Sequence, residues 1–405
     1  MATRHYTTKD FFRQIPNALL ARYFHERELF TELDFSAKAM KETKPDALFA
    51  AWLELDEAVR NPMDAVFREI FDMSCKKGFK AIIDEAHWQF TDKGTPEQIE
   101  PFVDALSELP NHHHRAMVTF LDHKDFWKGA TRFYHVDSLT SYWRKRKHLG
   151  HIAAAVDDAS IKQLSDSIGG YFHHTFGTGP NCFVEPFRRG DLDYFFAYPE
   201  DHSQQSPEWV NGEFDNRPHN PAFEVVFVYS QKEGSLDLNF RGTYKAIEPL
   251  WAIFAQTILK LDELPPDPKD KRVYDLNPLQ QGFDPVFDLA SGISDVAVKK
   301  LRLSSKVKQG DKITLEADTT TNPNAVYDLM GKIGKSIKLH QYNVTQVEIA
   351  ASMVVDADKP PKSVTIRITH PNSCSLKYDE QDLKLREMLE ASGIEPKEPE
   401  ESTKA

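Results

Sequence analysis

The chain holds only three cysteines in 405 residues, Cys75, Cys182 and Cys374, an odd number set far apart. No CxxC pair occurs, which excludes a disulfide-stapled scaffold, a thioredoxin-type motif and a cysteine-based zinc site. Glycine is sparse as well, at 18 residues, so collagen-like and glycine-rich classes are excluded. No apolar run approaches the roughly 18 residues of a membrane span. The longest candidate, Leu250 to Leu259, is broken by Gln256 and Thr257. Positive charge is in deficit: 50 Lys and Arg against 62 Asp and Glu leave a net charge of −12. That balance argues against a protein coated in nucleic acid. The amino terminus lacks a basic stretch followed by an apolar one, so no signal peptide is expected. The expectation is a cytoplasmic protein with no membrane association and no cofactor.

What is present is oily and aromatic: 40% apolar residues and 27 phenylalanines, enough for a sizeable core. At about 150 residues per domain, the length suggests two or three domains. Residues 1–150 show helical spacing throughout, as in Leu19, Leu20, Tyr23 and Phe24, and again in Val66, Phe67, Ile70 and Phe71. A further helix is expected from Ser160 to Phe172. Gly169-Gly170 and Gly177-Thr178-Gly179-Pro180 then mark a change of structure, after which β-type alternation takes over. Strands are expected at Cys182–Phe187 and Leu192–Tyr198. The polar stretch from Pro199 to Pro221 reads as a long loop, either functional or mobile.

The second half resembles itself. Val298, Leu301 and Leu303 precede a turn at Gln309-Gly310-Asp311, a strand with Ile313 and Leu315, and a helix with Val326, Leu329, Met330 and Ile333. Val344, Val347 and Ile349 open a matching series that runs through Val364, Ile366 and Ile368 to Leu385, Met388 and Leu389, with the same break of phase after the first apolar residue. The stretch from Phe223 to Leu259 follows the same plan. The expected fold is therefore α+β, an all-α N-terminal domain followed by antiparallel sheet built from repeated β-β-α units. The expected boundaries are a helical domain over 1–150, a transitional α/β domain over 151–262, a linker over 263–292, a duplicated β-β-α domain over 293–394 and a disordered acidic tail over 395–405. Each sheet would bury one face under helices and leave the other, polar face open to solvent or a partner.

No complete catalytic motif occurs. Asp84-Glu85-Ala86-His87 spells a helicase box but sits in helical spacing, and Gly331 to Ser336 lacks the spacing of a phosphate loop. His112-His113-His114 carries no metal-ligand spacing. Two surfaces remain as candidates. Trp143, Arg144, Lys145, Arg146 and Lys147 combine an aromatic ring with phosphate-binding charge, and Arg188 and Arg189 add to it, so this patch offers a contact to a nucleic acid or another anion. The helix-to-sheet junction gathers His173, His174, Glu185, Asp193 and Glu224, with Cys182 nearby and glycines that would let backbone amides approach an anion. The first reading is a binding or regulatory protein with a protein or nucleic-acid partner; the second is a metal-dependent hydrolase or nuclease at the junction. No defined metal site is readable.

Overall fold

The computed structural model describes residues 5–37, 40–139, 143–210, 212–266, 273–354 and 360–396. The chain divides into two compact units, Met1–Leu139 and Thr140–Ala405. No helix among the described residues is long and apolar enough to cross a membrane.

The first unit is helical: α1 (Thr8–Gln14), α2 (Asn17–His25), α3 (Asp46–Leu53), α4 (Glu57–Met73), α5 (Lys76–Asp92), α6 (Ile99–Ser107), α7 (His112–Asp122) and α8 (Lys124–Val136). Helix α4 shows why. Met63, Phe67, Ile70 and Phe71 recur at helical spacing and are all buried, giving one apolar stripe that pulls the helix onto its neighbours. Phe67 is its hub: its ring lies 4.8 Å from Phe11, 5.0 Å from Tyr23 and 5.4 Å from Trp52. The Asp84–His87 letters fall on α5, where Asp84 pairs with Lys80. His112–His114 form the first turn of α7, capped by the Asn111 side chain.

The second unit is mixed. It opens on strand β1 (Trp143–Arg146), followed by α9 (Asp158–Phe176), β2 (Cys182–Arg189) and β3 (Leu192–Pro199). Next come β4 (Gln204–Val210), β5 (Glu213–His219), β6 (Val225–Ser230), β7 (Ser235–Phe240) and α10 (Ile247–Thr257). Helix α9 is set by its ends: Asp157 caps its start through Ser160, and Gly177 closes it at a positive φ of 75°. Its buried Leu164, Ile168 and Phe172 form one stripe. The first five-stranded sheet has the order β1-β7-β6-β3-β2, all antiparallel. One face, with Phe195, Phe227 and Leu238, packs in a core with α9 and α10 residues such as Leu164 and Phe254.

The remaining elements are β8 (Ile293–Ser305), β9 (Lys312–Glu316), α11 (Ala325–Ile333), β10 (Tyr342–Met353), β11 (Lys362–Thr369), β12 (Ser373–Cys374) and α12 (Glu380–Ala391). They form a second antiparallel sheet of order β12-β11-β10-β8-β9. Its core draws on Val326 and Met330 of α11, Leu385 and Leu389 of α12, and Tyr274 and Leu279 upstream. Thus part of the stretch expected as a linker is core; 267–272 lie outside the described residues.

The break of phase in β8 and β10 is a pair of β-bulges. Val298 faces Ile349 and Lys300 faces Glu348, skipping Lys299; Leu303 faces Val344 and Arg302 faces Gln346, skipping Thr345. A bulge inserts one residue and resets the alternation.

Three expectations are corrected by these observations. Trp143–Arg146 is a strand, not the end of a helical region. Every residue of β6 and β7 is buried, so the first sheet has no open polar face at its centre. In the second sheet the outward face is polar, with Lys300 3.1 Å from Glu316 and 3.8 Å from Glu348, and Arg367 3.4 Å from Glu348. Finally, 199–221 is largely a β-hairpin: β4 and β5 pair only with each other among the described residues.

Candidate functional site

The basic-aromatic run lies inside the second unit. Trp143 is 1% exposed, Lys145 3% and Arg146 4%. The Lys145 ammonium sits 2.6 Å from Glu395 and 2.8 Å from Glu233, and Lys147 sits 3.2 Å from Glu395. The Lys145 amide donates to the Asn372 carbonyl at 2.9 Å, and the Arg144 guanidinium donates to the Ser373 hydroxyl at 2.6 Å. Strand β1 therefore joins the first sheet to the β12 end of the second. Around it, the Tyr378 hydroxyl donates to Asp237, while Arg386 donates to the Leu376 and Lys377 carbonyls and lies 4.3 Å over the Tyr378 ring.

Burial alone would raise the Glu395 pKa, but the Lys145 and Lys147 ammonium groups bring it down to about 2. Asp237 goes the other way: burial raises its pKa despite Arg386 and Lys145 nearby. Glu233, Glu390 and Glu395 come close enough to share an ion, the only such group among the described residues. The cation there is already present, because Lys145 contacts two of the three carboxylates. Breaking a buried pair leaves an uncompensated charge, so these residues act as a latch between sheets. The expected anion-binding surface at Trp143–Lys147 is thereby corrected, since buried and paired cations do not reach a phosphate. Arg188 and Arg189 lie on β2, at the opposite edge of the sheet from β1, and so form no common patch with it. Glu395, read as the start of a disordered tail, is 1% exposed; 397–405 lie outside the described residues.

The junction residues are not brought together for catalysis. Glu185 faces Phe196 and Asp193 faces Arg188 across the β2–β3 ladder; the alternation puts the two carboxylates on opposite faces. Asp193 is buried, 3.9 Å from Arg188, and burial raises its pKa. His173 and His174 are exposed at the end of α9, and the His173 ring meets the Thr178 carbonyl at 2.6 Å. Glu224 stands just before β6. None of these five belongs to a group that could share an ion. Burial pushes the Cys182 thiol up to about 12, which leaves it protonated and a poor nucleophile.

The glycine turn does approach an anion, and the anion is the protein's own. The Glu200 carboxylate accepts from the Asn181 side chain and from Asn220, each at 2.7 Å, and from the Asn181 amide at 3.4 Å. A Cβ on Gly179 would fall 1.9 Å from the Glu200 side chain, so any larger residue there would push this carboxylate aside. The Asn181 hydrogen bond, with that of Asn220, holds the Glu200 carboxyl below the usual carboxylate range. This carboxylate lines a cleft of about 300 Å³ together with Phe183 and Tyr198, whose rings stack at 6.5 Å. Phe183 is 60% exposed.

From the rim of this cleft the β4–β5 hairpin extends. Its register, with Gln205 facing Pro218, Pro207 facing Asn216 and Trp209 facing Phe214, gathers Pro207, Pro218, Trp209 and Phe214 on one face. The other face carries Glu208, Asp215 and Arg217. Trp209 is 72% exposed and Phe214 60%, with their rings 5.7 Å apart, edge to face. The reading of 199–221 as a loop missed this element because apolar alternation is weak where both faces meet water. The signal that finds it is Asn211-Gly212 between Trp209 and Phe214, a hairpin turn pair; Gly212 has φ 81°.

No family model matches the chain, and no curated protein matches it.

Proposed function

We propose that the protein is a binding protein whose recognition surface is the β4–β5 hairpin with the Glu200 cleft at its base, and that its occupant is a basic segment of a partner protein. The observation that carries this reading is the uncovered Trp209–Phe214 pair on a hairpin that pairs with nothing else described. An isolated two-stranded ribbon is marginal in water, and exposed apolar surface gains from being covered.

Charge selects the occupant. Residues 199–221 hold Glu200, Asp201, Glu208, Glu213 and Asp215 against a single Arg217, and Arg217 is paired with Asp215 at 3.1 Å. A nucleic acid would be repelled by this charge. A Lys or Arg side chain fits the cleft, its stem against Phe183 and Tyr198 and its charge on Glu200. Pro207 and Pro218 lack the amide that strand addition requires, so recognition runs through side chains. The hydrolase reading loses support because its residues stay apart. We also read β8–β9–α11 and β10–β11–α12 as two copies of one unit, a scaffold; the matching bulges at Lys299 and Thr345 support this.

The test is a titration with an alternating Lys-Leu peptide and its Glu-Leu counterpart. Saturable, salt-sensitive binding of the first is expected, lost in a Trp209→Ser, Phe214→Ser double variant that melts like the parent. Equal binding by that variant, or equal binding of the acidic peptide, overturns the proposal.

A further inference from the structure

This acidic chain does carry an exposed basic surface, but not at Trp143–Lys147. It lies at one end of the second sheet, where the β8–β9 turn meets the stretch that follows α11. The Lys306 amide donates to the Gln341 carbonyl at 2.7 Å, and the Lys306 ammonium donates to the His340 carbonyl at 3.0 Å. Lys306, Lys308 and Lys312 come from the turn and its flanks; Lys332, Lys335 and Lys338 come from the last turn of α11 and the residues after it. All six are exposed. Lys308 pairs with Asp311 at 3.4 Å, an exposed contact of little worth. The other five make no ion pair among the described residues. Val307, between two of these lysines, is 74% exposed.

Beside the lysines the surface is hollowed. An open depression of about 690 Å³ is lined by Phe283, Tyr327, Met330 and Leu339, with Gly331 and Gly334 leaving it free of side chains along α11. Lys332, Lys335 and Lys338 each adjoin one of these residues in the chain without lining the depression themselves, so an apolar floor has a basic rim. Asp284 is the one charged residue that lines it. A nucleic acid would use the lysines and leave the apolar floor uncovered. The β4–β5 hairpin matches both: Trp209 and Phe214 stand on one face, Glu208 and Asp215 on the other, and Glu213 at the turn. Laid aromatic side down, the ribbon puts its rings on the floor and its acids level with the rim, and opposite charge draws the two surfaces together.

We propose that the basic end of the second sheet is the docking surface for the β4–β5 hairpin of a second copy of this chain. The proposal rests on the hairpin reading above and names the partner: the basic segment is the Lys306–Lys312 turn with Lys332, Lys335 and Lys338 of another copy. The contact joins two different surfaces, so it is heterologous. The two rings bury about 300–500 Å² between them, well under the roughly 1,600 Å² of a standard interface. Association is therefore weak and concentration-dependent.

The test is sedimentation velocity of the full-length protein at concentrations up to about 0.5 mM, as a small interface requires. The average mass is expected to rise with concentration and to fall back when salt is added. Two variants remove one surface each: Trp209→Ser with Phe214→Ser, and Lys332→Glu with Lys335→Glu and Lys338→Glu. Both should melt like the parent, because the altered side chains are exposed. Each alone should associate roughly tenfold more weakly or worse. An equimolar mixture of the two should form a one-to-one dimer and nothing larger, since it retains one intact hairpin and one intact basic end. If a variant fails to fold, excess Lys-Leu peptide added to the parent reads the same contact and should dissolve the association. A parent that stays monomeric, association undiminished in either folded variant, a mixture that does not associate, or association unaffected by the peptide would each overturn the proposal. A monomeric parent whose lysines instead bind a short DNA duplex would overturn it in favour of nucleic acid. A parent that binds the Lys-Leu peptide yet stays monomeric removes this proposal alone; a parent that does neither removes the hairpin reading with it.

Discussion

At the scale of single residues, the decisive one is Lys145. It reads as part of a solvated basic patch because five polar or aromatic letters in a row carry no sign of what lies opposite them. Its partners, Glu233 and Glu395, are 88 and 250 residues away, and no local pattern reports contacts over that separation. Lys145→Met removes the closer of the two ammonium groups on the buried Glu395, leaving Lys147 at 3.2 Å, and frees the partly exposed Glu233. The expected loss is at most about 3–5 kcal/mol, read by urea unfolding. Glu395 sets a pH dependence of known sign. Its folded pKa of about 2 lies below the ordinary unfolded value, so its contribution is present at neutral pH. That contribution is lost as pH falls from about 4.3 toward 2. Asp237, with a raised pKa, contributes in the opposite sense, its share fading as pH rises through its folded value. Glu395→Gln isolates the first effect: unfolding free energy at pH 7 should fall, and the acid-side slope should flatten. In the helical unit, Phe67→Ala should cost about 3–5 kcal/mol, because it leaves a cavity among the rings of Phe11, Phe12, Tyr23, Phe24 and Trp52.

At the scale of elements, legibility follows burial. Helix α4 and strand β3 are plain in the sequence because one apolar stripe or run faces a core, and periodicity records it. The bulged strands β8 and β10 are visible through their shared break of phase, although the bulge itself emerges only from their register. Strand β1 and the hairpin were not legible for opposite reasons. The first is buried with its charges neutralised from afar, and the second is exposed on both faces. An exposed element that packs on little should be dispensable for stability. Replacing Gln204–His219, whose ends are paired, by two glycines should change unfolding free energy by no more than about 0.5 kcal/mol. A larger loss would show the hairpin to be structural. The junction site was half legible: the glycine turn does receive an anion, but the donor set completing it, Asn181 and Asn220, sits on either side of the hairpin.

At the scale of the molecule, the main hydrophobic cluster of the helical unit draws its buried residues from within Phe11–Ala130. A fragment spanning residues 5–139 should therefore keep its helical circular dichroism and melt cooperatively. The second unit is closed on itself by Lys145 and Glu395, near its first and last described residues. A fragment beginning at Gly150, without β1, should lose cooperative melting, because the hydrogen bonds from β1 to Asn372 and Ser373 and the Lys145–Glu395 pair then no longer tie the first sheet to the second. The charge of −12 also takes on a location, since the positive residues of the basic run are spent inside while an acidic, aromatic-tipped arm faces outward. The measurement closest to the central claim is amide hydrogen exchange of the intact protein with and without the Lys-Leu peptide. The hairpin reading predicts slowed exchange confined to Gln204–His219 and the rim of the Glu200 cleft. Slowing centred on the charged face of β8–β11 instead, with the hairpin unchanged, would contradict it.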